Sequence, residues 1–426
     1  MTTVADAPTP RAEASPTYDF GPATGLVCRE CGAVYDLGAA YACMECFGPL
    51  EVSYDFGTVT REQIEAGPSS LWRYSALLPV SAGSVDEPNL APGWTRLIHA
   101  HNLAEELGIQ TLWIKDDSGN PTHSFKDRVV AVAQSAARRL DLGTLSCAST
   151  GNLAHAVAAA AARGGMKSVV IIPHDLEDGK TVTTATYGGK LLAVEGNYDD
   201  VNRLCGELIG DPLTEDWGFV NVNLRPYYAE GSKTVGYEIA EQLGWRLPKQ
   251  VVIPVASGAL LTKVDKAWRE LIELGLVEDT EYKVFGAQAV GCSPVEQAFK
   301  AGHDVVRPVK PNTIAKSLAI GNPADGPYAL DVVRRTLGSI GAVDDDAVVD
   351  GIRQLARTEG VFAETAGGVV IATLKQLIAS GELDPNEETV ILNTGDGLKT
   401  LDAVIGQVGP TATIQAHVED VRKALA

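Results

Sequence analysis

The sequence predicts an α/β protein in which mostly parallel sheets are covered by helices on both faces. Three observations carry that expectation. Short β-branched runs alternate with Ala/Leu-rich amphipathic segments along the main body. At 426 residues the chain is too long for one ordinary core, so two or three domains are expected. Apolar residues make up 45% and charged residues 21%, the profile of a soluble globular protein.

Strands are expected at 111–115, 168–172, 191–195, 250–255, 283–287 and 389–393. Helices are expected at 125–141, 153–164, 199–210, 233–243, 260–275, 346–358 and 367–380. The run from Leu153 to Arg163 is dominated by Ala, so that helix can pack closely on a sheet or another helix. A connector poor in periodic pattern runs from about Val80 to Gly93 and leads into the body. No internal repeat is found.

The formal net charge is −20, from 35 basic and 55 acidic residues. A phosphate-backbone partner needs a basic face to displace counterions, so nucleic acid is not an expected partner. An anionic substrate would need a locally basic pocket against this background. No stretch approaches the length of apolar sequence that spans a bilayer, so no membrane partner is expected. The first 25 residues, rich in Ala, Pro and Thr, read as a flexible tail without the apolar core of a secretory signal. Seven unevenly placed cysteines do not form a disulfide framework, and a reducing cytoplasm is the expected compartment.

The most informative stretch is 115–128, KDDSGNPTHSFKDR. Lys126 follows a Gly-Asn-Pro-Thr turn and opens an apolar helical pattern. At a helix N-terminus the positive end of the dipole lowers an ammonium pKa, which favours the neutral amine needed for nucleophilic attack. Beside Asp127 and Arg128, a lysine is more often a solvated surface charge, and the local sequence by itself favours that reading. At 149–152, STGN precedes the Ala-rich helix and suits a carboxylate; an ordinary N-cap by Asn152 is the alternative. At 251–262, VVIPVASGALLT is a strand, a small-residue loop and a helix, where backbone N–H groups can cradle a phosphate. At 390–397, VILNTGDG places Thr394 beyond the carboxyl end of a strand, where ligands of open α/β sheets bind, although Asp396 and the glycines also suit a plain turn.

In order and spacing, these pieces resemble the threonine synthase family, within the tryptophan-synthase-like, fold type II pyridoxal-phosphate enzymes. The matching segments are NPTHSFKDR around Lys126, STGN 23 to 26 residues later, EGNYDD at 195–200, EGSKT at 230–234, KPNTIAKSLAIGNPADG at 310–326, FAETAGGV at 362–369 and NTGDGLK at 393–399. They span about 95 to 405, nearly the whole catalytic body. The resemblance implies two parallel-sheet α/β domains. The expected organisation is a tail at 1–25, a zinc-ribbon-like segment at 26–53 and a catalytic body at 54–425, with a smaller α/β subdomain at roughly 130–215 inserted in the larger domain.

By that resemblance, Lys126 would hold pyridoxal 5'-phosphate as a Schiff base and move protons at the α and β carbons. Asn152 would meet the cofactor's phenolic oxygen. Ala256, Ser257, Gly258, Ala259 and Leu260 would bind its phosphate, and Thr394 would face its ring nitrogen with a neutral hydroxyl. Ser149 and Thr150 would hold the substrate carboxylate. The implied reaction turns O-phospho-L-homoserine and water into L-threonine and phosphate, and the implied assembly is a homodimer. Asn223, Arg225 and Lys233 are the candidate donors for the substrate phosphate, with Lys180 behind them. Three positions depart from the family pattern: His123, where Gly is common; the ASGAL loop, where many members are Gly/Asn-rich; and Leu153, where a small or hydroxyl residue is common. The first two bear on pocket shape and the third on a substrate contact.

Two CxxC pairs, Cys28/Cys31 and Cys43/Cys46, stand eleven residues apart, the spacing of a zinc ribbon. Gly32 and Gly48 follow them closely enough to allow knuckle turns. Four thiolates would make a closed structural zinc site; a metal-free knuckle of packed thiols is the alternative. Other functions weighed are a cysteate-synthase-like β-replacement enzyme, a threonine dehydratase, and a zinc-dependent interaction protein with an inactive body.

Overall fold

The computed structural model describes residues 19–40, 42–149, 151–176, 178–196 and 198–426. Among these, the large sheet has six strands, in the spatial order Ile340–Val343, Lys283–Ala289, Gln250–Pro254, Thr389–Asn393, Leu112–Asp116 and Arg96–His99. All pair in parallel except the Arg96–His99 edge, which runs antiparallel to Leu112–Asp116. The small sheet is parallel throughout, in the order Lys190–Val194, Lys167–Pro173, Thr144–Ala148 and Trp217–Phe219. Its strands lie in the chain between Leu112–Asp116 and Gln250–Pro254, so the small sheet is an insertion between two strands of the large one.

Each expected strand and helix is present within about three residues at its ends. The central strands Gln250–Pro254 and Thr389–Asn393 are buried on both faces, which is why they read as continuous apolar runs. Thr144–Ala148 is equally buried, yet its sequence TLSCA has no β-branched run and gave no strand signal. The Ala-rich helix Asn152–Gly164 buries almost every alanine. It packs on Lys126–Arg139, Thr144–Ala148 and Lys167–Pro173, as small side chains allow.

Three expected boundaries are corrected. The smaller unit does not end near 215, because Trp217–Phe219 supplies its edge strand; nor does it begin at 130, because Lys126–Arg139 packs against Asn152–Gly164. The tail is not loose through residue 25. Phe20 is buried and stacks on Tyr227 with ring centroids 4.8 Å apart, and the strand Ala23–Cys28 pairs with Val34–Tyr35 and Leu50–Tyr54. The cysteine-bearing segment is therefore a three-stranded antiparallel sheet over 23–54. Residues 1–18 lie outside the described residues. Among the described residues, no helix is long and apolar enough to cross a membrane.

A buried ionic cluster fixes the start of the helix Lys126–Arg139 to the large unit. Arg128 donates Nε and Nη2 to the two oxygens of Asp117, each at 2.7 Å. Its Nη1 and Nη2 donate to Glu238 at 2.5 and 2.8 Å. Lys115 completes the cluster, donating to Glu238 at 2.6 Å and to the Thr95 carbonyl at 2.7 Å. Every charge has an opposite partner and good geometry, the condition under which buried ions are tolerated.

Candidate active site

Open α/β sheets bind ligands beyond the carboxyl ends of their strands. Here four such ends converge on one cavity. Lys126 follows Leu112–Asp116, Ser149, Gly151 and Asn152 follow Thr144–Ala148, Ala256–Leu260 follows Gln250–Pro254, and Thr394 follows Thr389–Asn393. Phe125, Leu153, Lys180, Tyr198, Tyr228, Lys316, Ser317, Glu364 and Thr400 complete the wall with them.

Lys126 is the first residue of its helix, and its Nζ lies 3.1 Å from the Tyr228 hydroxyl. Burial lowers its pKa to about 8, against the opposing pull of the Glu364 carboxylate. About a tenth of the amine is then neutral at pH 7, where an exposed lysine would be almost fully charged. Burial pushes the Tyr228 phenol up, so it stays protonated. The Phe125 backbone amide donates to the Thr394 carbonyl at 3.0 Å, which places Lys126 and Thr394 on the same wall.

Asn152 does not act as an N-cap, the ordinary alternative: it is the first helical residue, and its amide crosses the cavity to Glu364. Ser149 does part of the capping, its hydroxyl accepting from the backbone N–H groups of Gly151 and Ala154 at 3.1 and 2.9 Å. Thr150 lies outside the described residues.

The loop Ala256–Leu260 turns at Gly258, whose φ of +94° is in the left-handed region. A Cβ there would stand 2.7 Å from the Asp325 carbonyl oxygen. The turn leads directly into the 15-residue helix Ala259–Glu273, whose first residues, Ala259 and Leu260, line the cavity at the end where a helix has backbone N–H groups without helical partners. In the same wall, the hydroxyls of Ser317 and Thr400 are buried without a partner among the described residues. A tight turn at a helix start, a lysine of lowered pKa and buried polar groups without partners among the described residues together fit pyridoxal phosphate.

Three expected phosphate donors are corrected, for one physical reason: each already has its partners elsewhere. Asn223 accepts from the Phe219 amide at 2.8 Å and donates to the Trp217 carbonyl at 3.2 Å, closing the end of a strand. Arg225 donates to Asp325 at 2.5 Å. Lys233 is wholly buried, with its ammonium on the Leu77 carbonyl at 2.9 Å and against Glu230 and Glu270 at 2.9 and 3.0 Å. Besides Lys126, the lysines in the cavity wall among the described residues are Lys180, placed second by sequence, and Lys316, inside the segment IAKSLAIG. Glu364, inside FAETAGGV, and Tyr228, two residues before EGSKT, carried no signal of their own in the sequence; only the fold shows them facing Asn152 and Lys126.

His123 has φ +63°, so the position where the family commonly carries Gly does need a left-handed backbone. Behind the wall, Lys399 donates to the Thr122 carbonyl at 2.6 Å and to His155 Nδ1 at 2.8 Å. Burial, then the Lys399 charge, hold His155 near pKa 4, so the ring is neutral and its Nε2–H donates to the Lys180 carbonyl at 3.1 Å. That chain of contacts fixes the backbone carrying Lys180.

Residues 89–395 match the pyridoxal-phosphate dependent enzyme family. The chain is similar to the threonine synthase of Methanocaldococcus jannaschii, 36% identical over 93% of this chain and 98% of that one. It is also similar to the threonine synthase of Methanosarcina acetivorans, 34% identical over 94% and 98%. A likeness of fold extends to threonine deaminase isoform 2 of Solanum lycopersicum, with TM-score 0.60, 21% identity and coverage of 74% of this chain and 88% of that one. This chain belongs to the pyridoxal-phosphate-dependent enzymes and, within them, to the threonine synthase family.

Proposed function

We propose that this protein converts O-phospho-L-homoserine and water to L-threonine and phosphate. The observation that carries the reading is a lysine amine of lowered pKa in the wall of a cavity that also presents Lys180 and Lys316, in a chain similar over almost its full length to threonine synthases. A neutral amine can take a proton from carbon, and two cations in an otherwise acidic protein suit a phosphate leaving group.

Bound pyridoxal phosphate supplies an electron sink that acidifies the hydrogens next to the amino-bearing carbon. Lys126 is the residue to hold the cofactor and to carry protons to and from Cα and Cβ of the substrate. Backbone amides at Ala256–Leu260 would hold the cofactor's phosphate, Asn152 would meet its phenolic oxygen and Thr394 its ring nitrogen. Thr394 offers a neutral hydroxyl, which would leave that nitrogen uncharged and moderate the electron withdrawal the cofactor supplies. Ser149 and Thr150 take the substrate carboxylate. Lys180 and Lys316 neutralise the phosphate as it leaves Cγ, before water adds at Cβ.

The test is incubation of the purified, cofactor-loaded protein with O-phospho-L-homoserine while threonine and phosphate are both measured. Equimolar appearance of the two is expected. Phosphate without threonine would overturn the reading. Release of 2-oxobutanoate from threonine, or β-replacement on O-phosphoserine with phosphohomoserine left untouched, would move the enzyme to a dehydratase or a cysteate-synthase-like activity.

A further inference from the structure

Outside the catalytic cavity, the densest unassigned chemistry is in the antiparallel sheet over 23–54. Sγ of Cys28, Cys31, Cys43 and Cys46 all lie within 4.8 Å of one another, and all four thiols are free. Cys28 and Cys46 are 3.5 Å apart, Cys31 and Cys43 3.6 Å. These are not disulfide distances, which are near ~2 Å. They are close to the edge of a tetrahedron with Zn–S bonds of ~2.3 Å, about 3.8 Å.

The surroundings repeat around each pair. The amide of Glu30 donates to Cys28 Sγ, and that of Glu45 to Cys43 Sγ, each at 3.4 Å. The carbonyls of Cys28 and Cys43 accept from Gly32 and Phe47, at 3.1 and 3.0 Å. Gly32 and Phe47 both have positive φ, so the left-handed residue of the second turn is Phe47 and not, as the sequence suggested, Gly48. Gly48 is needed for closeness instead: a Cβ there would meet Glu30 Cγ at 2.7 Å and Cys28 Sγ at 2.9 Å. The Tyr35 hydroxyl accepts from the Met44 amide at 2.9 Å and so points its proton at Cys43 Sγ, 3.1 Å away. Donors aimed at sulfur stabilise metal-bound thiolates.

The two residues inside the first pair face the cofactor-phosphate loop. Arg29 stacks over the Tyr328 ring at 3.5 Å and pairs with Asp325 at 3.5 Å. Tyr328 donates its hydroxyl to Glu30. Asp325 in turn donates its backbone amide to the Ser257 carbonyl at 2.8 Å, inside the loop Ala256–Leu260. A second path reaches the lysine: Gly38 exchanges hydrogen bonds with the Tyr227 hydroxyl at 2.9 and 3.1 Å, and the next residue, Tyr228, contacts Lys126.

We propose that Cys28, Cys31, Cys43 and Cys46 bind one Zn²⁺ tetrahedrally, and that the metal-fixed turn carrying Arg29 and Glu30 positions the cofactor-phosphate loop through Asp325 and Tyr328. Four sulfur ligands leave no open coordination position, so the zinc is structural and takes no part in the chemistry. Arg29 acts as a positioning residue: it touches neither cofactor nor substrate. The inference rests on cofactor binding and not on the substrate assignment. A protein that binds zinc and cofactor as described but makes no threonine would overturn only the proposed reaction.

The experiment uses the full chain purified with its cofactor from zinc-replete growth. Elemental analysis is expected to give about one zinc per chain, and cobalt exchanged for it should show the thiolate charge-transfer and intense visible bands of a tetrahedral sulfur site. Cofactor affinity is then measured by absorption on zinc-loaded wild type, on chelator-stripped wild type and on Arg29→Ala. Arg29→Ala should keep its zinc and bind pyridoxal phosphate about three- to tenfold more weakly, the loss of one cation–π contact and one ion pair. Stripping should weaken binding at least as much. Less than about a tenth of a zinc per chain in the replete protein would overturn the metal site. Unchanged cofactor affinity in a zinc-loaded Arg29→Ala would overturn the coupling, and this arm holds even if the stripped protein unfolds.

Discussion

Asn152 donates its side-chain amide to both carboxylate oxygens of Glu364, at 2.8 and 3.1 Å, and so links the first turn of a small-sheet helix to the N-cap of a large-sheet one. The same carboxylate raises the pKa of Lys126 against the lowering caused by burial. Glu364 therefore bears on both the amide assigned to the cofactor's oxygen and the amine assigned to hold it.

Replacing Glu364 with Gln removes the charge that favours the ammonium. The pKa of Lys126 should fall below about 8, so more neutral amine is present at pH 7. The measurement is the rate of cofactor uptake by the cofactor-free protein as a function of pH. Its inflection should move to lower pH in Glu364→Gln; a shift upward would contradict the electrostatic assignment.

Gly258→Ala places a Cβ 2.7 Å from the Asp325 carbonyl on a backbone with φ +94°. Strain of about 1–3 kcal/mol is expected. Because the strained turn is the proposed phosphate cradle, relief should come by moving the loop. Cofactor binding should weaken by about tenfold or more, read by equilibrium dialysis, while the far-ultraviolet circular dichroism stays that of the wild type.

The reassignment of the phosphate donors has a two-sided test. Lys180→Ala and Lys316→Ala should each lower kcat/KM for phosphohomoserine by roughly ten- to a hundredfold, the value of a hydrogen bond to a charged group. Lys233→Met should act on stability instead. It leaves Glu230 and Glu270 buried with fewer cations, at a cost of about 3–5 kcal/mol in urea denaturation. A Lys233 variant of normal stability and raised KM would return that residue to the substrate site.

Burial alone would raise the pKa of Glu238, but Arg128 and Lys115 hold it down at about 2. A carboxylate depressed on folding contributes stability that is present above its unfolded pKa, near ~4.3, and is lost as pH falls through the folded value. About 3 kcal/mol should therefore vanish between roughly pH 4.5 and pH 2. Urea midpoints across this interval should fall steeply for wild type. In Glu238→Gln the slope should lose about one proton, on top of a lower stability throughout.

His123→Gly should stabilise the protein or leave it unchanged, because a left-handed backbone at φ +63° costs a residue with a Cβ about 1 kcal/mol. Thermal denaturation checks it: a clear loss of stability would mean the imidazole makes up for the strain.

The sequence by itself determined the parts of the site that are local in the chain. Strand, turn and helix start are set by side chains within about ten residues, so Lys126 and Asn152 could be placed at helix starts, and the 256–260 loop and Thr394 at strand ends, before any fold was known. The same locality made the paired cysteines legible, since a CxxC turn is closed by its own neighbours. Short strands without β-branched runs, such as Thr144–Ala148 and Trp217–Phe219, were hidden because burial between other elements, not local preference, makes them strands.

Tertiary structure alone decided which charges stand in the cavity wall. Arg225 and Asp325 are 100 residues apart, Lys233 and Glu270 37, and nothing near either cation announces its partner. Lys180 and Lys316 stand in the cavity wall because two strand ends and a distant loop meet there. A charge is read by what surrounds it in space, and for a chain folded from an insertion between two strands, those surroundings come from far along the sequence.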